Sequence, residues 1–172
     1  MTWAAMGVPH SAVYSRSGAG QPSGSLTADC ADDRRLLQME LDDLSYRVIG
    51  AAYRVHSQLG PGLLEAAYEK CLAAELDDEG LRYARQPRLA LRYNGRRIGN
   101  AYRPDLIVER AIVVEIKAVT QLTSVDLAQI LTYLKLSGCT LGLLLNFHVA
   151  DLKKGIKRVV LGYPEPGHSS GH

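Results

Sequence analysis

Within the apolar run Val113-Val114-Glu115-Ile116-Lys117-Ala118-Val119 sit a carboxylate and an ammonium. Burying either one is costly unless it is paired or bound to a cation, so the two charges need a reason to be there. Two positions apart on an extended chain, Glu115 and Lys117 share a face and Ile116 takes the other. Upstream, Pro104-Asp105-Leu106-Ile107-Val108 opens with another isolated acid. If the chain turns as a three-residue loop centred on Arg110, Asp105 falls opposite Glu115, whereas a two-residue turn would break that register. Two carboxylates in one pocket repel each other, and a hard divalent cation with oxygen ligands, Mg2+ or Mn2+, relieves the repulsion. Such an ion would activate a water and neutralise charge on a phosphodiester, while Lys117 positions the nucleophile or stabilises the transition state. The chemistry expected of these residues is phosphodiester hydrolysis.

Periodicity indicates the elements that must position them. Leu44, Val48, Ala52, Val55 and Leu59 recur at helical steps between Leu41 and Leu59, and Gly60-Pro61-Gly62 stops that helix. A second helix is expected from about Leu63 to Asp78, with Leu64, Ala67, Cys71 and Leu72 as its apolar face and Gly80 as its terminator. The period then changes to two: Leu89, Leu91 and Tyr93 alternate ahead of Asn94-Gly95, a hairpin signal. Ala101–Val108 and Ala111–Ala118 are apolar enough to be strands covered on both faces. Thr123 and Asp126 form a capping-box start for a helix over residues 124–137, ended by Gly138, and Leu141–Leu145 is a further buried strand. The segment Lys153–Leu161 fits a short helix or an edge strand equally well. The expectation is an α/β (α+β) fold with a helix-flanked mixed β-sheet in the order α-α-β-β-β-β-α-β.

Length and composition set the frame. The 172 residues, 47% of them hydrophobic, suffice for one core. Gly, Ser, Ala and Pro dominate residues 11–31, which predicts a disordered extension over residues 1–38. A domain over 39–163 and a flexible tail over 164–172 follow it, and a translational start at Met39 is a second expectation. Cys30, Cys71 and Cys139 have neither disulfide-framework nor zinc-site spacing, which suits a reducing, cytoplasmic setting. No apolar run approaches the roughly 20 residues that span a bilayer, so no membrane partner is expected. His56 reads as a helix-end histidine satisfying carbonyls rather than a general base. His10, His148, His168 and His172 have no ligand spacing.

Pro104-Asp105 followed by Glu115-Ile116-Lys117 resembles the PD-x(n)-E-x-K motif of the PD-(D/E)XK, or restriction-endonuclease-like, nuclease superfamily. Gly62-Leu63-Leu64-Glu65-Ala66-Ala67-Tyr68 resembles the signature of its GxxExxY family, within VHSQLGPGLLEAAYE. The resemblance covers roughly residues 41–161. It implies a restriction-endonuclease-like core, a Mg2+-dependent nuclease activity on DNA, Asp105 and Glu115 as metal ligands with Glu65 as a further ligand, and Lys117 as the electrostatic catalyst. It also implies catalytic roles for Glu65, Gln129 and Tyr133, the last two in the Q-x-x-x-Y of the RecB-like branch. Spacings of three between Glu65 and Tyr68 and of four between Gln129 and Tyr133 put each pair on one helix face. Tyr68 reads as a packing residue.

Between Leu81 and Arg103 lie seven arginines and no acid: Arg82, Arg85, Arg88, Arg92, Arg96, Arg97 and Arg103, interleaved with Tyr83, Tyr93 and Tyr102. Lys153, Lys154, Lys157 and Arg158 form a second basic cluster. The net charge of only +2 makes this clustering, rather than the total, the argument for contact with a phosphate backbone through Arg92, Arg96, Arg97 and Arg103. Two other functions fit the same residues: a non-catalytic nucleic-acid- or protein-binding module, and a hydrolase acting on another phosphate compound. A homodimer is one option that the sequence leaves open.

Overall fold

The computed structural model describes residues 28–162, and the side chains of residues 38–162 other than Asn100 and Ala101. The chain divides into two units, Met1–Met39 and Glu40–His172. In the first, helix is described from Ala28 onward; the rest of the expected 1–38 extension and all of the tail over 164–172 lie outside the described residues.

The order is α1 (Ala28–Leu59), α2 (Glu65–Asp78), β1 (Tyr83–Arg85), β2 (Leu89–Tyr93), β3 (Arg96–Tyr102), β4 (Leu106–Val108), β5 (Ile112–Lys117), α3 (Ser124–Ser137), β6 (Leu141–Asn146), α4 (Leu152–Gly155) and β7 (Ile156–Val160). Five strands form a mixed sheet in the order β1-β4-β5-β6-β7, and β2 with β3 make a separate two-stranded ribbon. β5 and β6 pair in parallel, joined across α3, while the other pairs of this sheet are antiparallel. A parallel pair covered on both faces has to be apolar throughout, and β6 is buried at every position.

Alternation along the strands sorts the core into two layers. Leu106, Val108, Ile112, Val114, Ile116, Leu141, Leu143 and Leu145 pack with Val48, Ala52 and Val55 of α1 and Tyr68, Leu72 and Leu76 of α2. On the other face Val113 and Leu144 pack with Ile130, Tyr133 and Leu134 of α3. This is the helix-flanked mixed sheet expected, with finer divisions. The stretch Ala101–Val108 is two strands rather than one, because Pro104 has no N–H for a ladder and the chain changes sheets there. β1 was not anticipated, since three residues are too few to show a period. The ambiguous segment over 153–161 contains both a helical turn and an edge strand.

The α2 face also differs from the apolar count. Leu64 is 81% exposed, and the buried side is Tyr68, Glu69, Leu72, Ala73 and Leu76. Tyr68 lies stacked on Phe147 with ring centroids 4.4 Å apart; its hydroxyl donates to Gly60 O at 2.6 Å and accepts from Leu63 N at 3.2 Å. This tyrosine thus pins the turn between the first two helices, in which Gly60 and Gly62 adopt φ of +62° and +116°. α3 begins with the capping box of Thr123 and Asp126 and ends at Gly138 in the left-handed region, as its sequence indicates.

Candidate active site at the end of the parallel strands

In the β4–β5 ladder Leu106 faces Val114, Ile107 faces Val113 and Val108 faces Ile112. Residues 109–111 form the intervening loop, centred on Arg110, and the same register carried one step further sets Asp105 opposite Glu115. Glu109 and Arg110 both have positive φ, which lets this tight connection close with Ala111 N donating to Val108 O. Asp105 does not continue the strand; its Oδ2 accepts from Ile116 N at 2.7 Å, tying the acid to β5.

Glu115 is only 4% exposed. Its Oε1 accepts from Lys117 Nζ at 3.0 Å, while Oε2 is buried without a hydrogen-bond partner. Burial, reinforced by the nearby Asp105 charge, pushes its carboxyl up to about 7 against the pull of Lys117. Asp105 is also raised, first by burial and then by the charges of Glu69 and Glu65, although the Ile116 N–H and Lys117 oppose this. For Lys117, burial alone would depress the ammonium. The hydrogen bond and charge of Glu115, with the charges of Glu65 and Asp126, outweigh that and hold it above the usual lysine value.

Lys117 joins the strand to α3. Its Nζ also donates to Gln129 Oε1 at 3.1 Å and lies 3.8 Å from Asp126. Gln129 Nε2 donates to the Tyr133 hydroxyl at 2.7 Å, which in turn reaches Arg103 O at 3.4 Å. Burial first, and the Glu115 charge second, raise the Tyr133 phenol. From the other side, Glu65 at the first position of α2 accepts from Ala118 N at 3.1 Å. Asp105, Glu115, Lys117, Gln129 and Tyr133 are thereby linked, with exposed Glu65 at the rim. Both α2 and α3 start here, at the carboxyl end of β5, where helix N-termini favour an anion.

Two residues of this region were not singled out from sequence. Glu69, one turn after Glu65, is 4% exposed and accepts from Arg85 Nε at 3.0 Å and Gln86 Nε2 at 2.9 Å. Gln86 N donates in turn to Asp105 O at 2.8 Å, so Glu69 braces the segment holding Asp105. An acid among the apolar positions of α2 was the available signal. Buried Asn146 closes β6; its amide donates to Val119 O and accepts from Val119 N, fixing the chain just beyond Lys117. A lone Asn at the end of a strand gives no sequence signal.

The arginines divide. Arg82 pairs with Glu109 and Arg85 with Glu69, whereas Arg92, Arg96 and Arg97 are exposed on the ribbon and Arg103 is exposed where it leads to Asp105. His56 Nε2 lies 2.8 Å from Val149 O, satisfying a carbonyl as expected, though one from the loop after β6.

As they stand, no three His, Cys, Asp or Glu side chains among the described residues are gathered into a chelating group. The donor set nonetheless fits a hard cation: carboxylate oxygens only, with one buried Glu115 oxygen lacking any partner. A family model described as the PD-(D/E)XK nuclease superfamily matches residues 42–159, which include every residue of this network. The chain belongs to the PD-(D/E)XK nuclease superfamily. Nucleases of this superfamily generally use divalent metals such as Mg2+, which agrees with the all-oxygen donor set. No curated protein and no solved structure gives a significant match. Among the described residues no helix is long and apolar enough to cross a membrane.

Proposed function

We propose that this PD-(D/E)XK chain is a Mg2+- or Mn2+-dependent nuclease hydrolysing phosphodiester bonds in DNA, with the activity in the domain over 39–163. The observation carrying this reading is the buried, unpartnered Glu115 Oε2 beside Asp105 and Lys117. Asp105 and Glu115 would hold the metal, and exposed Glu65 would complete its ligands by turning inward. The bound ion supplies a water of lowered pKa and neutralises charge on the phosphoryl oxygens.

The chain's own residues do the rest. Lys117, fixed between Glu115 and Gln129, presents a positive charge where negative charge develops on the phosphate. Gln129 and Tyr133 keep that ammonium from swinging away, and Tyr133 couples it to the backbone at Arg103. Exposed Arg92, Arg96, Arg97 and Arg103 attract the polyanion. The segment Gly62–Tyr68 supports placement in the GxxExxY family, and the free thiols of Cys71 and Cys139 suit a cytoplasmic enzyme.

The test is cleavage of supercoiled, duplex and single-stranded DNA with Mg2+ or Mn2+, with and without EDTA. Lys117→Ala is expected to lose at least about a hundredfold in kcat, as when an electrostatic catalyst is removed elsewhere. Equal activity in the variant sinks the assignment. The non-catalytic alternative is favoured by one feature, the Glu115–Lys117 ion pair that occupies the site. It requires salt-sensitive DNA binding, no cleavage and no calorimetric response to Mg2+.

A further inference from the structure

Helices α2 and α3 both begin at the mouth of the site, but their first turns are finished differently. In α3 the side chain of Thr123 accepts from Asp126 N and that of Asp126 from Thr123 N. In α2 the N-cap position belongs to Leu64 and has no side-chain cap. A Ser, Thr, Asp or Asn there would satisfy one of the unpaired N–H groups, so a leucine forgoes a stabilising bond. Nor does it gain by burial, since Leu64 is 81% exposed. A single exposed apolar side chain is ordinary on a protein surface. Leu64, however, has a counterpart in Val125, which is 72% exposed in the first turn of α3. The two helices cover opposite faces of the sheet, so these residues flank the end of β5 from both sides. Leu64 directly precedes Glu65, whose Oε1 accepts from Ala118 N, next to Lys117. Val125 directly precedes Asp126, 3.8 Å from Lys117 Nζ, and lies four and eight residues ahead of Gln129 and Tyr133 on one helical stripe. Leu64 is also held in place: its carbonyl accepts from Ala67 N and Tyr68 N, and Leu63 N donates to the hydroxyl of buried Tyr68.

We infer that Leu64 and Val125 are specificity-determining residues, an apolar wedge that enters the base stack beside the scissile phosphate and takes the place of a base there. This rests on the nuclease reading above. A phosphate drawn to Lys117 carries its flanking bases to the two aliphatic side chains, and nucleic acid offers no other apolar surface than the faces of its bases. Aliphatic side chains such as leucine open a base step when pushed between its two bases, at the cost of the stacking they displace. A wedge already fixed by the Tyr68 hydroxyl and the α2 backbone loses little freedom on insertion, so more of its contact energy offsets that cost. The chain should therefore select its cutting position by how readily a step unstacks, not by hydrogen bonds to base edges.

The experiment has a kinetic and a spectroscopic arm. Cleavage positions on a paired DNA duplex are mapped. Then kcat/KM in Mg2+ is measured for the unsubstituted chain, Leu64→Ser and Val125→Ser on that duplex and on one mismatched at the mapped step. The unsubstituted chain should cut the mismatched duplex faster. Each variant should lose at least about tenfold on the paired duplex and less than about threefold on the mismatched one, where the stacking is already weakened. In the second arm the full chain carrying Lys117→Ala, with and without Leu64→Ser, binds short duplexes that each contain one 2-aminopurine, a base whose fluorescence rises as it unstacks. A rise that Leu64→Ser abolishes is expected. Leu64→Ser should also melt about 2–4 °C above the unsubstituted chain, because serine supplies the missing cap. An equal loss on both duplexes or none on either, a fluorescence rise indifferent to Leu64, or a lower melting temperature would each overturn the inference. A Leu64-dependent rise with no cleavage by the unsubstituted chain refutes only the nuclease reading. Cleavage by that chain, unaltered in both variants, refutes only the wedge.

Discussion

Glu115 and Lys117 stood out in the sequence because a charge within an apolar strand is expensive, and the structure gives each a partner. Glu69 is an equal anomaly but less visible in the sequence, because a helix position has no fixed face until its neighbours are known. Its partner Arg85 ends a strand too short to be foreseen, and its partner Gln86 follows directly after that strand. Gln129 and Tyr133 were legible only through family resemblance, since a glutamine four residues before a tyrosine has no chemistry of its own. The brace through Glu69 makes a prediction at this scale. Glu69→Gln keeps the shape but removes a charge near Asp105, so denaturant titration should show a loss of about 1 kcal/mol, modest because Arg85 is partly exposed. Mg2+ affinity by calorimetry should weaken severalfold; unchanged affinity would disconnect Glu69 from the metal-binding acids.

At the scale of elements, the chain after β6 holds the site from behind. Gly155 ends α4 so close to β6 that an added Cβ would run into the backbone carbonyl of Asn146, with Val149 Cγ2 at 3.0 Å. Asn146 in turn fixes Val119, just past Lys117. Gly155→Ala should therefore destabilise by about 2–3 kcal/mol in thermal melts and also lower kcat, because a carbonyl cannot step aside. Gly142→Ala meets mainly the Ile130 side-chain tip at 2.8 Å, which can rotate, so it should cost less. If the two variants melt alike, the backbone clash is not the controlling contact. Neither glycine stood out in the sequence, because their neighbours are distant along the chain. Helix α3, by contrast, was readable almost residue by residue, since its start and stop are local chemistry: a capping box and a left-handed glycine. The apolar pattern runs on past Pro104, which conceals in the sequence that the arginine ribbon and the central sheet are separate sheets.

For the molecule as a whole, the buried acids set the response to pH. Folded Glu115 is held at about 7 against an ordinary 4.5, so between those values the unfolded chain ionises while the folded one resists. The contribution of Glu115 is therefore fully present below about pH 4.5 and is lost as pH rises through 7, by up to about 3 kcal/mol for this group. Asp105, raised as well, adds to the fall; Glu109 and Asp126, held low, act with opposite sign at more acidic pH. Melting temperature without metal should thus be lower at pH 8 than at pH 5, and Mg2+ should restore more at pH 8, where the ligands are ionised. A metal-free protein more stable at pH 8 contradicts this. The borders of the five-stranded sheet bear on a different hazard. One is β1, three residues long, and the other is β7, which carries exposed Lys157 and Arg158. A growing fibril recruits chains through a long, uncharged strand that offers its hydrogen bonds to newcomers, and neither border of this sheet presents one, so its edges disfavour the strand addition by which native molecules join cross-β polymers.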